Sequence, residues 1–179
     1  MTSIGATAKN LSQPALTTIQ GLFTDWQKPN LLDAVAKEIF FADEVVFFEG
    51  QEDVGLLRKF AIEHNREPLE VFGYGVGGSG NIKHFLKMAE ELGIRACAIY
   101  DGDKTAEKAE AEQLFPVSLI ELLPTADIRD KHAKDASGRD AVEIKKEGLF
   151  DRNGVIKPAY KQYLLDLMDR VTAQFNGPQ

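Results

Sequence analysis

From Glu44 onward, short apolar runs alternate with amphipathic stretches. EVVFFEG (44–50), LEVFGYG (69–75), IRACAIY (94–100) and PVSLIELL (116–123) are brief, rich in β-branched and aromatic residues, and without a polar face. Such runs read as strands buried on both sides. Between them the period changes. Asp53 to His64 carries Val54, Leu57, Phe60 and Ala61 on one helical face. IKHFLKMAEEL is a second helix, with Asn81 as its expected cap and Gly93 as its stop. TAEKAEAEQLF is a third, more charged helix. Strand and helix alternate over short links, which predicts an α/β fold: a parallel sheet of about four strands with helices on both faces.

The ends differ from this middle. Residues 1–42 read as a separate helical segment. LSQPALTTIQGLF forms a short helix with Pro14 near its start, and Asn30 caps a second one whose apolar positions are Leu31, Leu32, Val35, Ile39 and Phe40. After PVSLIELL the chain turns polar and turn-rich, with a helix expected around Ala126 to Ala133. Pro158 then opens an amphipathic helix whose inner face is Tyr160, Leu164, Leu167, Met168 and Val171. Residues 43–179 are thus expected to form one domain with a C-terminal helical extension.

Composition narrows the classes. The 179 residues are 44% hydrophobic and 27% charged, the balance of a soluble globular protein, and no apolar run approaches the roughly 20 residues of a membrane span. The N-terminus lacks the plan of a signal peptide, so a cytoplasmic protein is expected. Cys97 is alone, inside an apolar strand, and reads as a buried inert thiol. The net charge of -7 disfavours a stand-alone nucleic-acid binder but does not exclude an enzyme that holds cations in a carboxylate cluster, so charge alone leaves the question open.

Ligands of open parallel sheets bind beyond the carboxyl ends of the strands. There the first strand ends at Glu49 and the third at Asp101, with Asp103 two residues on and Asp53 in the first turn of the helix after Glu49. If the first and third strands are neighbours, these four acids share one patch. Together they repel unless cations lie between them, and hard oxygen ligands suit Mg2+ or Mn2+. Taken singly, Asp53 reads more readily as a helix cap or dipole partner and the DGD as a turn; it is their combination at two strand ends that points to a site.

Three readings compete for this edge. Gly75 to Gly80 fits GxGxxG, but the first strand-to-helix turn is acidic and repels a pyrophosphate, which weakens a dinucleotide site. AIYDGDKT fits the hhhDxDxT motif of haloacid-dehalogenase-like phosphatases, with Asp101 as nucleophile, Asp103 as acid and Thr105 behind. Only 74 residues follow Thr105, and no later strand ends in the expected acidic pair. The third reading uses every feature. VVFFEGQED followed by AIYDGDK resembles a Toprim domain, and FFADEVVFFEGQEDVGLL with YGVGGSGNIKHFLKMAEELGI resembles the nucleases of the OLD (overcoming lysogenization defect) family. The likeness runs from Ile39 to Lys104 and thins beyond.

That resemblance implies a metal-dependent DNA endonuclease working with two ions. Glu49 and Asp53 match the family's first acids, and Asp101 and Asp103 its DxD pair. Glu49 also matches the acid proposed to move a proton. Asp127, with Asp130 behind it, is the candidate for the acid after the fourth strand, and Lys157 for the late lysine that stabilises charge on the phosphate. The family also implies a homodimer and an ATPase domain. No Walker A motif occurs, so the chain reads as the C-terminal nuclease region of an ATP-dependent protein or as a stand-alone relative. A Toprim module that binds nucleic acid without cleaving it is the remaining alternative. The glycine loop then reads as a tight turn rather than a nucleotide cradle. Arg129, Lys131, Lys134, Arg139, Lys145 and Lys146 form either a solvated loop or a phosphate-facing surface. His64, His84 and His132 show no partner pattern.

Overall fold

The computed structural model describes residues 11–24, 39–73 and 75–177. Its central element is a parallel sheet of β1 (Glu44–Phe47), β2 (Arg95–Tyr100) and β3 (Ile120–Leu122), in that order. Glu44 faces Arg95 and Val46 faces Cys97, while Ala98 faces Ile120. The first and third apolar runs are therefore direct neighbours. The run LEVFGYG supplies only an isolated parallel bridge, Val71 to Val46, on the outer edge of β1. Val46 N–H donates to Glu70 O and Phe72 N–H to Val46 O, after which the chain turns away. Gly73 and Gly75, both within that run, favour the turn over continued pairing.

Both faces of the sheet are covered, which is why its strands lack alternation. Val45, Phe47, Ala98 and Tyr100 pack on α3 (Ser79–Leu92), with Ala111 of α4 (Thr105–Leu114) in the same cluster. Phe47, Phe72 and Phe85 form an aromatic knot there, with ring centroids 5.1–6.0 Å apart. On the other face Val46, Phe48, Cys97 and Ile99 pack on α2 (Gln51–Glu63) and α5 (Pro158–Asn176). Cys97 is fully buried, and burial pushes its thiol up to about 12. The α5 residues Leu164, Leu167, Met168 and Val171 are buried as expected, joined by Phe175, with half-buried Tyr160 against them.

At the N-terminal side, α1 (Gln13–Thr24) has Pro14 in its first turn and is tied to α3 by Ser12, whose N–H donates to Glu91 at 2.7 Å. The helix expected from Asn30 falls largely outside the described residues. Its last positions, Ile39 and Phe40, lie in a single 3-10 turn, Ile39–Phe41. Asn81 is not the cap of α3. Gly78 is, and Asn81 lies inside the first turn, where its amide donates back to Val76 O at 3.0 Å and Gly77 O at 3.1 Å. Gly93 closes α3 in the left-handed region, at φ 74°.

The polar stretch after β3 holds strands where a helix was expected at Ala126 to Ala133. β4 (Asp127–Arg129) pairs in parallel with β7 (Gly148–Phe150), and β5 (Lys131–Lys134) forms an antiparallel ribbon with β6 (Asp140–Lys146). Ile128, Leu149 and Phe150 anchor the β4–β7 pair in the core beside α2 and α5. Burial of this one apolar triplet overrides the weak helical pattern of a charged segment.

Candidate metal centre

The carboxyl ends of β1 and β2 place the acids. Glu49 and Asp101 each follow a buried strand within two residues of its end, and Asp53 lies in the first turn of α2. Asp101 N–H donates to Glu49 Oε1 at 3.3 Å, linking the two strand ends. Asp53, only 8% exposed, accepts from Gly50 N–H at 2.8 Å, so it caps α2 while facing the other acids.

Two glycine contacts fix this corner. Gly75 has φ +67°, and a Cβ there would stand 2.6 Å from the Gly50 backbone; Val76, Gly77 and Gly78 N–H groups donate to the Phe48 and Glu49 carbonyls. The glycine loop thus lies flat on the Glu49–Gly50 turn and holds it from outside. Gly102 approaches the next loop as closely: its N–H donates to Thr125 O at 2.7 Å, and a Cβ would meet that oxygen at 2.4 Å. This contact brings the DGD turn beside the segment carrying Asp127.

The electrostatics show the convergence. Burial, then the charges of Asp53, Glu49, Asp127 and Asp103, pushes Asp101 up to about 8. Burial and then the charges of Glu49, Asp127 and Glu52 raise Asp53 to about 7, against the hydrogen bond from Gly50. Glu49 is raised as well, chiefly by burial. Asp103 behaves in the opposite way. It is exposed and held below the usual carboxylate range by Lys146 at 2.6 Å and Lys104 at 3.2 Å. Asp127 lies 3.4 Å from Lys131, which also pairs with Glu52.

Glu49, Asp53, Asp101 and Asp127 therefore share one acidic edge, with Asp103 on its rim. Their oxygen donors suit a hard divalent cation. Among the described residues, no three His, Cys, Asp or Glu groups are drawn close enough to enclose one. The acids instead engage backbone amides and the lysines Lys104, Lys131 and Lys146.

The other expected residues fall elsewhere. Asp130 is 7% exposed, accepts from Gly148 N–H at 2.8 Å and from Lys157 Nζ at 2.7 Å, and Lys157 also lies 3.5 Å from Glu147. Thr105, assigned a place behind the DxD in the phosphatase reading, is the exposed first residue of α4. His64 stacks on Phe60, His84 is exposed on α3, and His132 is within reach of Ala141 O. Sequence reasoning missed Lys104, Lys131 and Lys146 as partners of the acids. Only Lys104, next to the DxD, carried a local signal.

No helix among the described residues is long and apolar enough to cross a membrane. Comparison with curated proteins and with solved structures gives no significant match. The parallel sheet with helices on both faces is consistent with a Toprim-like fold, a class that generally binds divalent metals and serves nucleic-acid enzymes of the nuclease and primase kind. Residues 40–103, which contain Glu49, Asp53, Asp101 and Asp103, match the family described as the Overcoming lysogenization defect protein-like TOPRIM domain.

Proposed function

We propose that the acidic edge hydrolyses phosphodiester bonds of nucleic acid with divalent cations held by Glu49, Asp53, Asp101, Asp103 and Asp127. The observation that carries this reading is that buried Asp53 and half-buried Asp101 both face Glu49 and Asp127, and that among the described residues neither carboxylate has a cation within ion-pair distance. A fold keeps such repulsion only where something else neutralises it. Bound Mg2+ or Mn2+ would supply a Lewis acid and a water activated near neutral pH.

The chain's own groups do the rest. Asp101 N–H orients Glu49, whose raised carboxyl is suited to accept and return a proton at Oε2 or Oε1. Asp53 holds the start of α2 against the strand end, so the edge keeps its shape while charge changes. Lys104, Lys131 and Lys146 balance the outer acids and stand ready for phosphate oxygens once cations take those acids. Lys157 serves the phosphate in this reading only after leaving Asp130.

Incubation of supercoiled plasmid with Mg2+, Mn2+ or EDTA, for wild type and Asp101→Ala, tests the reading. Metal-dependent nicking that the substitution abolishes is the expected result. Metal binding with hydrolysis of a phosphomonoester but no cleavage of DNA or RNA would move the assignment to the phosphatase class. Nucleic-acid binding without cleavage would leave a binding module.

A further inference from the structure

The β5–β6 ribbon has no role in the fold that its burial explains. Val142, Glu143, Ile144 and Lys145 are all exposed, Val142 at 95%. Successive strand residues point to opposite faces, so four exposed in a row mean that both faces of β6 stand open. An isolated two-stranded ribbon is marginal in water. This one has its ion pairs to the acidic edge at its base.

The mooring lies at the acidic edge. Lys131 and Lys146 face each other in register across the ribbon, a like-charge pair that opposes pairing on its own. Each is taken by the site: Lys131 by Glu52 and Asp127, Lys146 by Asp103. The base of the ribbon therefore adjoins the acids. Residues 131–146 carry five Lys or Arg against three Asp or Glu in a chain of net -7, and the excess is the two base lysines, since the residues between them hold three of each sign. Beyond the base, Arg139 is exposed near the turn, where it reaches Ser137 Oγ at 2.8 Å and Asp135 at 3.6 Å, and Lys145 is exposed on β6.

We propose that this ribbon is a nucleic-acid arm: it lies along the phosphodiester backbone and guides the strand toward the acidic edge. A two-stranded ribbon has the width of a duplex major groove, and Lys and Arg along it match the charge of the phosphates. Once cations take the site acids, Lys131 and Lys146 at the base are released to add the positive charge that an anionic polymer needs on its way to an acidic site. The inference rests on the nuclease reading for the choice of partner, but it concerns binding and is separable from cleavage.

Fluorescence anisotropy of labelled single-stranded DNA, duplex DNA and RNA of one sequence, in Ca2+ over a range of salt, provides the test. The variant is Arg139→Gln with Lys145→Gln, which leaves the acids and the two base lysines untouched. Its control is the same loss of two charges outside the ribbon, Arg66→Gln with Lys87→Gln, residues that pair with Asp169 and Glu90. The ribbon variant should raise Kd by roughly tenfold and lower the salt slope by about 1.4 to 1.8, while the control changes neither by half as much. A melting curve matching wild type shows that the variant is folded. Equal losses in ribbon variant and control, or unchanged binding in the ribbon variant, overturn the arm and leave the cleavage reading to its own test. No binding of any of the three polymers by wild type overturns the arm as well. Binding that is lost in the variant, in a protein that cuts nothing, supports the arm and rejects the nuclease.

Discussion

Asp101 and Asp130 each follow the last residue of a parallel strand, β2 and β4; Asp130 is buried and Asp101 half-buried. Their surroundings are opposite. Asp130 accepts from Gly148 N–H and from Lys157, so its negative charge is met in full. Asp101 has Asp53, Glu49 and Asp127 as its charged neighbours and is pushed up to about 8. One aspartate ties β4 to β7 and to the start of α5. The other belongs to a cluster of acids whose charges raise one another. Position in the fold does not separate a paired acid from a repelled one; the balance of charge around it does.

Exchanging the roles gives the sharpest contrast. In the proposed reading Asp101→Ala should lower cleavage by at least on the order of 10²–10³-fold, since it removes a ligand of the cations that would hold transition-state charge. Its melting temperature should stay level or rise, because a repelling carboxylate is gone. Asp130→Ala should do the reverse, costing about 2–4 kcal/mol in a denaturant titration by stranding Lys157 in a half-buried place. Lys157→Met sharpens this further. Lost stability with cation binding retained, read by calorimetry, would assign Lys157 to the structural pair; lost cleavage at unchanged stability would assign it to the phosphate.

Acidity separates the two regions next. In the unfolded chain Asp53 and Asp101 titrate near 3.8, and in the folded protein at about 7 and about 8. The folded state therefore binds more protons between about pH 4 and about pH 8, and stability falls as pH rises through that window. Melting curves in EDTA should shift down from pH 5.5 to pH 8.5. Added Mg2+ or Mn2+ should restore more at pH 8.5, where both acids are ionised. Equal stabilisation at the two pH values would mean that the cations bind elsewhere. The Asp103→Asn variant, with the rim acid neutralised, should retain that pH dependence.

The smallest effect concerns the glycine loop. Asn81→Ala removes two hydrogen bonds to the loop carbonyls and should cost about 1 kcal/mol in stability. If the loop only braces the Glu49 turn, affinity for labelled DNA stays unchanged. A matching loss of affinity would make the loop amides part of the binding surface.

The acidic edge was legible early because its ingredients are local. A buried strand ending at Glu49 and another ending at Asp101 need only the apolar runs before them, and a parallel sheet brings strand ends to one side. The second apolar run was less so. LEVFGYG has the composition of a strand, but Gly73 and Gly75 end its pairing after a single bridge. The segment 126–133 shows the limit plainly: its charges and alanines resemble a helix, and burial of Ile128 against Leu149 and Phe150 makes it a strand.

The sequence by itself determined the alternation of strands and helices, the burial of Cys97, the inner face of α5 and the placing of Glu49, Asp53 and Asp101 at element ends. Each follows from periodicity or composition within about ten residues, where the chain's own geometry decides what faces inward. Only the tertiary structure decided that Asp127 joins these acids while Asp130 takes Lys157, that Gly75 lies on Gly50, and that Lys131 and Lys146 meet the site from a ribbon. Those pairings join residues tens of positions apart. They are chosen by which carboxylate a folded backbone leaves beside a cation and which it leaves beside other carboxylates, and no local pattern encodes that distance.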